Sequence, residues 1–65
     1  MKILINDQPH EFAPAAPLRD ALTAIDAKPP FAVALNGVFI PRSEYPARTL
    51  TEGDRIEVIR PVTGG

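Results

Sequence analysis

The chain has sixty-five residues and a net charge of −1, with seven basic side chains against eight acidic ones. That balance gives no electrostatic case for nucleic acid, and no basic stripe runs along the sequence. A domain this short buries only about 60% of its unfolded surface, which leaves little interior for an enclosed catalytic pocket. There is no cysteine, so a thiol nucleophile, a disulfide and a thiolate metal site are excluded, and any sulfur carried here cannot ride on a thiol.

In chain order, Met1-Lys2-Ile3-Leu4-Ile5-Asn6 alternates as a strand, with Met1, Ile3 and Ile5 on one face and Lys2, Leu4 and Asn6 on the other. No signal-peptide cleavage pattern follows it, and the longest uncharged apolar run, Phe31 to Leu35, is far too short to span a bilayer. A cytoplasmic location with no membrane contact is the expectation. Asp7-Gln8-Pro9 reads as a turn and His10 to Ala13 as the returning arm of a hairpin. His10 is the only histidine, so neither a metal cluster nor a catalytic triad can form, and it is read as a surface residue of that hairpin.

Pro17 suits the first position of a helix. Leu18, Ala21, Leu22 and Ile25 then recur at i, i+3, i+4 and i+7 as one apolar stripe, with Arg19, Asp20, Thr23 and Asp26 opposite; Pro29-Pro30 is expected to end the helix. Phe31-Ala32-Val33-Ala34-Leu35 is a third strand, joined through the tight-turn pair Asn36-Gly37 to a short strand at Val38-Phe39-Ile40 that Pro41 ends. Arg42 to Leu50 is an irregular crossing. In its Arg42-Ser43-Glu44-Tyr45 stretch, a loop pinned by a partly buried Tyr45 and a partner contact stand as even alternatives. Glu52-Gly53-Asp54 turns into the last strand, Ile56 to Arg60.

Two strands, a helix and further strands imply an α+β layer structure: a mixed sheet of four to five strands with one helix packed across one face, the first and last strands central and parallel. That order is the ubiquitin-like β-grasp. Residues 1–65 are expected to form this one domain, with a flexible tail over 60–65. If Ile56 and Val58 face the core, Ile59 faces outward, and the same count puts Leu4 and Ala34 on the outer face, where the three could form one patch.

The sequence ends in Gly64-Gly65, fed by the strand and by Arg60-Pro61-Val62-Thr63. Without Cβ atoms a diglycine can thread a narrow active site, and its carboxylate, ionised at neutral pH, is a potential nucleophile toward an activated phosphate. The bland alternative is an ordinary frayed terminus.

Met-Lys-Ile at the start, Ala34-Leu35-Asn36-Gly37 followed by Ile40-Pro41-Arg42-Ser43-Glu44-Tyr45, then Glu52-Gly53-Asp54-Arg55-Ile56-Glu57 and Arg60-Pro61-Val62-Thr63-Gly64-Gly65 together resemble the ThiS family, the sulfur carriers of thiamine biosynthesis. The resemblance covers nearly the whole chain and is weakest over Gln8 to Lys28. It implies a carrier and not an enzyme. A ThiF-like adenylating enzyme would spend ATP on the terminal carboxylate, and a sulfur-donor relay would convert the adenylate to a thiocarboxylate. A ThiG-like thiazole synthase would receive the sulfur. Gly65 would hold the reactive carbonyl and Gly64 would keep the approach slim. No cofactor is expected on the chain itself, because the ATP belongs to the activating partner. Arg60 is the candidate for tail recognition through an acidic groove on that enzyme; Ile59, Leu4, Ala34 and Arg42 are candidates for the partner face. A molybdopterin-type sulfur carrier, a ubiquitin-like modifier, and an interaction module with a chemically silent diglycine are the alternatives.

Overall fold

The structure is a computed structural model and describes residues 1–61. It opens with a hairpin of β1 (Lys2–Ile5) and β2 (Gln8–Glu11). The turn between them is Asn6-Asp7, one step earlier than the sequence suggests, with φ of 49° and 67°. Asn and Asp enter the left-handed region more readily than other non-glycine residues, and two such residues in a row match the twist of the flanking strands. Pro9 therefore lies inside β2, opposite Leu4. It is tolerated because β2 is an edge strand, where a missing N–H breaks no ladder on the open side.

Helix α1 (Leu18–Ala24) buries Leu18, Ala21 and Leu22. Pro17 is its N-cap, one position outside the helix where the sequence reading placed it as the first helical residue. The helix ends before Pro29-Pro30, contrary to expectation. Asp26 takes φ 53°, its N–H bonds the Thr23 carbonyl, and the Ala27 N–H reaches back to the Leu22 carbonyl. These are the two bonds of a Schellman closure, which satisfies the last carbonyls with Asp26 in the position usually given to glycine. The prolines only redirect a chain that has already left the helix.

The second half supplies β3 (Ala32–Leu35), β4 (Val38–Ile40), a 3₁₀ turn at Arg42–Glu44 within the crossing segment, and β5 (Arg55–Ile59). Asn36-Gly37 makes the expected tight turn, both residues at positive φ. The strand order is β2-β1-β5-β3-β4. The first and last strands are parallel neighbours, as expected, and the other pairs are antiparallel. Ile3, Ile5, Val33, Leu35, Ile40 and Ile56 point to one side of the sheet and close with Leu18, Ala21, Leu22 and Leu50 into a single core. The apolar stripe of α1 and the period-two strands thus bury each other. No helix among the described residues is long and apolar enough to cross a membrane.

Candidate functional site

The last strand carries the tail, so its anchorage decides where the tail starts. At its root, the buried Asp54 carboxylate accepts hydrogen bonds from Asn36 Nδ2 (2.9 Å), the Thr51 N–H (2.8 Å) and Thr51 Oγ1 (3.0 Å). Asn36 in turn accepts from the Arg55 N–H at 2.9 Å and donates its own N–H to the Arg55 carbonyl at 2.8 Å. Burial works to raise the Asp54 pKa, but the bonds from Asn36 and Thr51 together outweigh it and hold the carboxyl below the ordinary value. Reading Glu52-Gly53-Asp54 as turn chemistry is right for Gly53, at φ 83°, and incomplete for Asp54, which ties the β3–β4 turn to the start of β5. Arg55 adds an ion pair with Asp7 at 2.7 Å.

Further along, alternation puts Glu57 and Ile59 on the side away from the helix, and Ile59 is 55% exposed. The register shows which residues join it. Ile59 faces Ala32, and Ala34 stands between Glu57 on β5 and Phe39 on β4. Phe39 is 66% exposed. The outer face thus presents two large apolar side chains, Ile59 and Phe39, flanking two alanines. Leu4 does not belong to this group: it pairs with Arg55, four residues and about 13 Å along β5 from Ile59. Phe39 went unrecognised in the sequence, although a two-residue turn at Asn36-Gly37 already forces Leu35 opposite Val38 and hence Ala34 opposite Phe39.

Arg42 also stands apart from the outer face. It begins the 3₁₀ turn and lines a groove of about 370 Å³ with Ala27, Pro29, Pro30, Phe31 and Tyr45. The Phe31 and Tyr45 rings stack there, centroids 6.1 Å apart and 11° from parallel. Tyr45 is half-buried, and its carbonyl accepts the Arg19 N–H at 3.1 Å, so it does pin the loop. Burial pushes its hydroxyl pKa up, against the opposing charge of Arg42. Arg42 and Ser43 remain exposed. Arg60 is exposed just past β5; Gly64 and Gly65 lie outside the described residues. His10 is half-buried on β2 and stacks on Phe12 at 6.3 Å. Among the described residues no group of His, Asp and Glu could hold a metal ion.

A family model described as the ThiS family matches residues 3–65. The chain belongs to the ThiS family. Membership places it among the small sulfur carriers of thiamine biosynthesis. Its structure is similar to the crystal structure of the thiamine biosynthesis protein ThiS from Geobacter metallireducens, with a TM-score of 0.82 and 26% identity over the whole of both chains. A solution NMR structure of a thiamine biosynthesis protein from the same organism aligns with a TM-score of 0.79 and 26% identity over all of this chain and 88% of that one. No curated protein sequence matches it. The five-stranded mixed sheet with one helix is the ubiquitin-like β-grasp of these relatives.

Proposed function

We propose that this ThiS-family protein carries sulfur as a thiocarboxylate on Gly65. A ThiF-like enzyme would join the Gly65 carboxylate to AMP from ATP, releasing pyrophosphate. A carboxylate is a poor electrophile, and the adenylate supplies the leaving group that splits one hard substitution into two easier ones. Sulfur from the donor relay then attacks the same carbonyl carbon and expels AMP. The resulting anion keeps its charge on a polarisable sulfur for delivery to a ThiG-like thiazole synthase.

The observation that best supports this reading is the reach of the family match through residue 65, which includes the diglycine and the strand that feeds it. The geometry is compatible. β5 is fixed at its root, while the chain leaves the sheet beside an exposed apolar face that a partner could cover. Arg60 is exposed at the start of the tail and would pair there with an acidic surface on that partner. The chain needs to catalyse neither step; it supplies recognition and delivery.

Incubation with a ThiF-like enzyme, ATP and a sulfide source, followed by intact mass, tests the reading. The wild-type chain should gain the mass of one sulfur-for-oxygen exchange. Deletion of Gly65 should abolish pyrophosphate exchange while moving stability by less than about 0.5 kcal/mol. Normal exchange by the deletion variant would overturn it.

A further inference from the structure

The groove on the helix side of the sheet lies beside the place where the tail begins. Ala32 pairs with Ile59, so the antiparallel register carried one step on brings Phe31 alongside Arg60. Phe31 is also a wall of the groove that holds Pro29, Pro30, Tyr45 and Arg42. An enzyme that takes hold of the chain at Arg60 therefore meets this groove at the same edge of the sheet.

Charge decides what the enzyme should carry there. Beside the groove the acidic side chains are already engaged: Glu44 with Arg48 at 2.8 Å and Asp26 with Lys28 at 3.4 Å. Among the described residues neither Arg42 nor Arg60 has an ion-pair partner. The walls between are apolar rings.

We propose that this groove is a second docking point for the enzyme that receives the tail, filled by an acidic loop of that enzyme. The loop sets one apolar side chain against Phe31, Tyr45 and the prolines, and one carboxylate on the Arg42 guanidinium. A planar guanidinium suits a carboxylate through two parallel hydrogen bonds, and the stacked rings beneath keep water from one side of the pair. The inference rests on the carrier reading above and deepens it by naming the chemistry of a partner contact.

The test is steady-state pyrophosphate exchange by the activating enzyme, with the carrier varied. Arg42→Glu should raise KM roughly tenfold or more and leave kcat unchanged, because it turns a docking pair into a repulsive one without touching the tail. Arg42→Lys should recover part of the loss. A variant with the wild-type melting point and an unchanged KM overturns the inference. Failure of the wild-type chain to support any exchange overturns the carrier reading instead, so the two failures are distinguishable. To identify the occupant, a photo-crosslinker at the exposed neighbour, Ser43→p-benzoylphenylalanine, should capture an enzyme peptide that contains Asp or Glu. Capture of this chain's own residues, of a second copy, or of an enzyme peptide without a carboxylate overturns it.

Discussion

At Arg55, β5 is gripped from several directions: its N–H and carbonyl bond to Asn36, its guanidinium to Asp7, and its backbone sits between β1 and β3. Four residues later, Ile59 has among the described residues a strand partner only in Ala32, and its side chain stands in solvent. Both ends belong to one short strand, so the difference is not one of secondary structure. The root is built from polar groups that must be satisfied where water is excluded; the tip is built from apolar groups left uncovered. The first arrangement fixes a direction, and the second offers a surface to something else.

The sharpest way to break the contrast is at the root's apolar side. Ile56 is 1% exposed and touches the core from the sheet's central strand, so Ile56→Ala is expected to cost about 2–5 kcal/mol. That approaches the whole stability of a domain this small, roughly 5 kcal/mol or less. Urea or thermal melts measure it. An unchanged midpoint would mean the root is not held by the core.

Next in size, Asp54→Ala leaves the Asn36 amide and the Thr51 N–H without their acceptor and should cost about 1–3 kcal/mol in the same melts. The bond network also predicts a pH dependence. Because the folded-state pKa lies below the ordinary carboxylate value, the unfolded chain binds the proton first as pH falls. The carboxylate's contribution is therefore complete above that value and is lost as pH drops through the lower, folded pKa. Asp54→Asn should flatten this acid limb of the stability curve. A variant whose acid limb matches the wild type would remove Asp54 from the anchorage.

Smallest in stability, and most telling about the tip, is Ile59→Asp. With the side chain already in solvent, the monomer should lose less than about 0.5 kcal/mol. Binding to the activating enzyme should weaken, since a carboxylate would be stripped of water without a partner. Calorimetric titration beside circular dichroism separates the outcomes: an unfolded variant would place Ile59 in the core, and normal binding would move the docking face elsewhere.

Most of the fold was legible wherever the signal is local. The helix stripe, the Asn36-Gly37 turn and the alternation of β5 each depend on residues a few positions apart. The misses came where two local signals compete or where a partner is distant. Gln8-Pro9 resembles a turn as much as Asn6-Asp7 does, and only the edge position of β2 makes Pro9 harmless within a strand. Proline is the louder helix stop, but Asp26 closes α1 first. Asp54 looked like any turn acid because Asn36, its key partner, lies 18 residues away. Leu4 and Ile59 share a face yet not a patch, because the parallel register between β1 and β5 is set by the crossover and not by either strand's pattern. The groove draws residues from the segment after α1, the start of β3 and the 3₁₀ turn, and no spacing rule unites those.

The parallel pairing of β1 with β5 also orders events in time. Val58 bonds Asn6 across 52 residues, so the centre of the sheet cannot form until β5 has left the ribosome. Before that, the β1–β2 and β3–β4 hairpins exist only as separate ribbons, each too small to be stable alone. Closing the longest loop last makes folding slower than local contacts would allow. It also means that the exposed apolar face and the strand that leads into the tail mature in the same step. A half-made chain presents neither.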